Sequence, residues 1–234
     1  MEIRQLSTTD EFEECRAIQR KAWKFSDDDI LPFHLIRAFC DTTEPYGIML
    51  GAFNEKIMIG FCTGFPTLTT GSILMHMIAV SPEYHNMGIG ALLMNELVVR
   101  AREKNLNKIV WTYDPLESAN ASLYFQKMKS ICRKYAQNYY VFKKSNLSDI
   151  PADRFKMELN INTIDCHPID SKDVIRVEIP GNFQEIKEKD ISLAIEHRVR
   201  TRGFFQRYIN QNNYIVVGFI FNKSRNTGEY ILMR

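Results

Sequence analysis

Polar and apolar positions alternate from Glu2 to Leu6 and predict a short opening strand. Ser7-Thr8-Thr9-Asp10 then offers hydroxyl and carboxylate oxygens for a helix start, and Phe12, Cys15, Ile18 and Trp23 follow at near-helical spacing. A second short helix is expected from Pro32 to Cys40. Gly47 to Phe53, Lys56 to Gly64 and Ser72 to Val80 are three β-like runs, split by Asn54-Glu55 and by Thr67 to Gly71, and read as an antiparallel meander. Beyond Ser81-Pro82 the period changes. Gly88-Ile89-Gly90 opens an amphipathic helix in which Leu93, Leu97, Val98 and Ala101 share a face, with Arg100, Arg102 and Lys104 in its last turns. Lys108 to Tyr113 is nearly all apolar, as expected of a strand covered on both faces. The result is a βαβ unit. A short helix over Ser118 to Met128 and an aromatic strand over Tyr135 to Phe142 complete this half. After a polar stretch from Lys143 to Asp153 come strands at Phe155 to Ile161 and Val174 to Ile179, and a helix from Asp190 to Ile209. Tyr214 to Phe221 and Tyr230 to Met233 then form a hairpin-like pair around Asn226-Thr227-Gly228.

Composition narrows the class. The chain has 234 residues, 45% hydrophobic and 25% charged, with a formal net charge of +2, the proportions of a soluble globular protein. Thirty basic against twenty-eight acidic residues give no global field for nucleic acid or an anionic membrane. The five cysteines lack a C-x-x-C pair, which fits a reducing, cytoplasmic setting better than a disulfide framework. No apolar run approaches the roughly 20 residues of a membrane span.

The chemistry concentrates in Val80-Ser81-Pro82-Glu83-Tyr84-His85-Asn86-Met87-Gly88-Ile89-Gly90. A strand ends, and two glycines sit at the first turn of a helix, where exposed N–H groups and the helix dipole suit a pyrophosphate. The alternative is a plain tight turn. The preceding antiparallel strands exclude a Rossmann fingerprint, and no Walker lysine follows the second glycine. The segment resembles the coenzyme A motif of the GNAT superfamily of acyl-CoA-dependent N-acyltransferases, with Val80, Pro82, Gly88 and Gly90 in register and His85 where the family usually has Gln or Arg. The likeness covers about residues 1 to 142. Trp111 to Ala121 and the phrase Ile179-Pro180-Gly181-Asn182-Phe183-Gln184 resemble a longer branch with a C-terminal extension.

The resemblance implies an α/β (α+β) fold: a mixed, mostly antiparallel sheet with a central βαβ unit, residues 1–145 as the acyl-CoA domain and 146–234 as an α/β extension packed on it. It further implies an acetyltransferase that uses acetyl-CoA and a small-molecule amine. No nucleic acid or membrane partner is expected, and a homodimer is possible. A catalytically degenerate acyl-CoA-binding protein is the alternative. Backbone groups of Ile78 and Val80 would pair with the pantetheine arm, the N–H groups of His85, Asn86, Met87, Gly88, Ile89 and Gly90 would hold the pyrophosphate, and Asn120 would bond the pantetheine or acyl end.

Direct attack by an amine needs a base. His76, four residues before Val80, is the first candidate because imidazole needs little tuning at neutral pH; a core histidine is the alternative reading. Glu117 and Asp114 are weaker candidates. The family's acid is a tyrosine whose slot here holds Phe125, with Tyr124 one residue early; Tyr124, Tyr135, Tyr139, water or no acid at all remain open. Asp27, Asp28 and Asp29 lie where the family contacts its acceptor, against the reading that Ser26 and Asp29 cap the next helix. Cys166-His167 has no partner spacing for a metal, and none is expected. Arg198, Arg200, Arg202 and Arg207 make one helix basic, read as a solvated face or as an anion clamp.

Overall fold

The computed structural model describes residues 1–41, 43–140, 150–162 and 173–234. The chain divides into two compact units, Met1–Val110 and Trp111–Arg234. The boundary expected at residue 145 falls among residues outside the described set.

In the first unit the strands run β1 (Glu2–Gln5), β2 (Ile48–Asn54), β3 (Ile57–Pro66), β4 (Ser72–Val80) and β5 (Lys108–Tyr113). They lie side by side in that order, antiparallel up to β4. Helix α1 (Thr9–Trp23) starts on a capping box: the Thr8 hydroxyl accepts the Glu11 N–H at 3.3 Å, and the Glu11 carboxylate accepts the Thr8 N–H at 3.2 Å. Phe12, Cys15 and Ile18 of α1 and Ile36 of α2 (Phe33–Phe39) bury one sheet face, against Met49, Phe53, Phe61 and Ala79. Helix α3 (Ile89–Glu103) buries Leu93, Met94, Leu97 and Ala101 on the other. Gly60 and Gly64 of β3 admit it: a Cβ at Gly60 would lie 3.4 Å from Leu93, and one at Gly64 3.0 Å from Leu97. Strand β5 pairs parallel to β4 from Ser72↔Lys108 to Leu74↔Val110, so the expected βαβ unit is present.

The second unit opens with the end of β5 and short helix α4 (Ser118–Ala121), which runs into a wide π turn, Ser122–Lys127. Strands β6 (Ile131–Tyr140), β7 (Ala152–Asn160), β8 (Val174–Pro180), β9 (Ile215–Asn222) and β10 (Thr227–Met233) are antiparallel in the order β7-β6-β9-β10-β8. Helix α6 (Ile191–Phe205) continues as a second π turn, Gln206–Gln211. Tyr113, Phe155, Phe205, Phe219 and Tyr230 fill the core as edge-on or tilted ring pairs 4.7–5.9 Å apart.

One sequence expectation needs correction, and one helix was not expected. The aromatic strand begins at Ile131, not Tyr135, because Arg133 and Lys134 are exposed positions of a strand whose Ile131 and Cys132 are buried. Phe183–Lys189 is a helix, α5, that no periodicity announced: it is one seven-residue piece after Gly181-Asn182 with no side-chain cap.

Candidate active site

Strand β4 carries the first part of the site. Its pairing with β3 runs Met77↔Thr63 and then Met75↔Gly64, so His76 is the extra residue of a β-bulge with no partner on β3. The buried Thr63 takes over the interrupted ladder: its hydroxyl accepts the Met77 N–H at 3.0 Å. The His76 ring stacks on Phe65 at 4.9 Å, and Phe65 stacks on Phe39 of α2 at 4.4 Å. The imidazole edge is exposed and has no hydrogen-bond partner among the described residues. Partial burial of the ring lowers its pKa from 6.5, because it disfavours the imidazolium. The alternative of a core histidine bonded to a carbonyl is not what the bulge holds.

After Val80 the chain makes a single turn at Pro82–Tyr84 and reaches the glycines. Asn86 and Gly88 both take left-handed backbone conformations, φ 63° and 81°, and Gly88 is the N-cap of α3. No atom lies within 4 Å of where a Gly88 Cβ would stand. The N–H groups of Asn86, Met87, Gly88, Ile89 and Gly90 have no turn or loop acceptor among the described residues, and Gly88 to Gly90 open the first turn of α3. His85 differs. Its N–H donates to the Pro82 carbonyl at 3.2 Å, and its Nε2 donates to the Val80 carbonyl at 2.9 Å. The His85 N–H expected to serve a pyrophosphate is thus already taken within the turn. Val80 keeps a second carbonyl lone pair for another donor.

The acidic loop is partly committed. Asp27 pairs with Arg20 at 2.8 Å, and the Ser26 hydroxyl donates to Asp29 at 2.9 Å. That bond closes a local turn and caps nothing: α2 starts at Phe33 behind Pro32. All three aspartates are exposed.

The remaining candidates belong to the second unit. Asn120 on α4 is half-buried and its side chain has no hydrogen-bond partner among the described residues. Tyr124 is only 3% exposed, its ring 4.9 Å from Trp111 and 5.0 Å from Tyr113; Phe125 is equally buried and packs on Tyr230. Tyr135 donates to the buried Asp153, and Tyr139 lies under Lys156. Asp114 and Glu117 are held in ion pairs. Asp114 accepts from Arg198, and Glu117 accepts from Lys187 at 3.0 Å and Gln184 at 2.6 Å. Burial pushes Asp114 up, but Arg198 and Arg154 outweigh it and its pKa falls; burial wins at Glu117, whose pKa rises.

Sequence reasoning missed this network. Arg198 is 1% exposed and Arg202 grips Asp153 at 2.6 and 2.9 Å, so these two are no solvated face, while Arg200 and Arg207 are exposed. Cys166-His167 lies outside the described residues; among those described, no group of His, Cys, Asp and Glu could hold a metal. No described helix is long and apolar enough to cross a membrane.

A profile of the acetyltransferase (GNAT) family matches residues 9–128, more than half of the chain. The chain belongs to the GNAT acetyltransferase family. Solved structures agree on the fold. The ribosomal-protein-S18-alanine N-acetyltransferase of Escherichia coli is 18% identical, with a TM-score of 0.55 over 71% of this chain and 99% of its own. A GNAT acetyltransferase of Streptococcus pneumoniae is 18% identical, with a TM-score of 0.56 over 69% and 99%. Aminoglycoside 6'-acetyltransferase type Ii is 15% identical, with a TM-score of 0.55 over 72% and 100%. No curated protein sequence matches. This GNAT chain is thus longer than the structures it resembles, and general acyl-CoA-dependent acetyl transfer is the chemistry its family brings.

Proposed function

We propose that the chain moves an acetyl group from acetyl-CoA to the amine of a small molecule. The five free N–H donors from Asn86 to Gly90 would hold the pyrophosphate, the backbone of Ile78 and Val80 the pantetheine arm, and Asn120 the acyl end. His76 would take the proton from the substrate ammonium. The free amine then attacks the thioester carbonyl, a C–N bond forms, the C–S bond breaks, and the thiolate leaves, the second amine proton passing to it through water. Asp27, Asp28 and Asp29 would draw the cationic acceptor.

The observation that carries this reading is the bulged His76: partnerless on its strand, exposed, and with a pKa lowered by partial burial. Coupled thiol-release assays over a panel of amines test it. Acetyl-CoA turnover that depends on one amine and falls in His76→Ala supports the proposal. Turnover unaffected by that substitution removes His76 from the mechanism. The enclosed Tyr124 and the hydroxyl-free Phe125 favour a second reading, an acyl-CoA-binding protein without turnover; binding with no thiol release from any amine would select it.

A further inference from the structure

Helix α6 carries a feature that acetyl transfer does not use. Along its outer face an open groove of about 530 Å³ is lined by Gln137, Arg202, Gly203, Gln206, Arg207 and Gln211, among others; pockets for small molecules span about 300–1,000 Å³. Its charged lining is cationic only. Arg202 is fixed by Asp153 and by Asn138, whose amide oxygen lies 2.8 Å from the guanidinium. Arg207 has no ion pair or hydrogen bond among the described residues; its guanidinium rests over the Tyr208 ring at 5.5 Å. Gln206 accepts with its carbonyl oxygen from Asn210 at 2.9 Å and from Gln137 at 3.3 Å, which leaves its NH₂ group to donate elsewhere.

Gly203 is an exposed part of the lining. A Cβ there would meet nothing within 4 Å, so neither crowding nor a left-handed backbone requires glycine, although glycine weakens a helix. The helix also widens into its π turn just beyond, at Gln206–Gln211, a distortion frequent at functional sites.

We propose that this groove binds a small oxyanion, a carboxylate or phosphate, in the fork of Arg207, with Gln206 and Gln211 as neutral hydrogen-bonding partners and Gly203 leaving room for it. Calorimetric titration of inorganic phosphate and, separately, of succinate into the full chain at matched ionic strength tests this and tells the two chemistries apart. Saturable binding of one of them is expected. Arg207→Gln should weaken it about tenfold, the worth of one charge-assisted hydrogen bond. Gly203→Leu should abolish it with Tm unchanged or higher, since leucine favours the helix and its side chain takes up space in the groove. The titrations are made in a Gly88→Asp background, which closes the phosphate site proposed at the glycine turn, and binding at the groove should persist there. Absence of saturable binding by either anion, or binding that survives both groove substitutions, overturns the proposal.

Discussion

Gly88 separates backbone strain from ligand chemistry, because two substitutions there should rank in opposite orders. At φ 81° a side chain is strained, yet nothing lies within 4 Å of the Cβ position, so alanine meets no clash. Gly88→Ala therefore costs only the left-handed backbone, about 1–2 kcal/mol. For a chain of this size each kcal/mol moves Tm by about 2–4 °C, giving a fall of about 2–8 °C. Aspartate tolerates this conformation better than alanine, so Gly88→Asp should be no less stable than Gly88→Ala. Binding should rank the other way. At ~5 Å and an effective dielectric of about 20, a carboxylate repels each phosphate charge by about 3 kcal/mol, more than a hundredfold in affinity. Differential scanning fluorimetry gives the first ranking and equilibrium titration of acetyl-CoA the second. If Gly88→Asp bound acetyl-CoA as tightly as Gly88→Ala, the glycine turn would not be the anion site.

His76 should set the acidic limb of kcat/KM. Burial disfavours its charged form and lowers its pKa from 6.5, so the limb should lie below 6.5 and move up towards it when Phe65→Ala exposes the ring; an unmoved limb would assign it to another group. The unfolded chain holds more protons below 6.5, so this histidine makes stability fall as pH drops. Arg198→Ala leaves the Asp114 carboxylate with Arg154 at 3.8 Å as its remaining cation and should cost about 2–3 kcal/mol in urea denaturation, less than a buried charge left with no partner, and a loss under 1 kcal/mol would contradict the buried pair. Thr8→Ala removes one side of the α1 capping box and should cost about 1 kcal/mol by the same assay, with a neutral result refuting that role.

The order of strands and helices in the first unit was legible because each segment carries its own period and punctuation. Thr8 and Glu11 announce α1, and the glycine pair announces α3. The bulge at His76 was not legible, since alternation along β4 looks continuous and the slip exists only in its pairing with β3. Nor was the role of Arg198, whose partner Asp114 is 84 residues away in sequence. Reading Tyr124 and Phe125 by the 100° step of an α-helix assumed a winding that the π turn at Ser122–Lys127 does not keep. The groove on α6 needed a structure, because it is built from exposed glutamines and arginines with no spacing that marks them.

The most direct test of the account is a thermal melt of the full chain with and without acetyl-CoA at 100 times its Kd, with CoA and ATP alongside. One-site linkage predicts about 2.7 kcal/mol of stabilisation, a rise in Tm of roughly 5–10 °C for a chain of this size. A rise with acetyl-CoA and CoA but not with ATP is the predicted result. No rise at millimolar acetyl-CoA would contradict the assignment of the glycine turn to coenzyme A, and with it the proposed transfer.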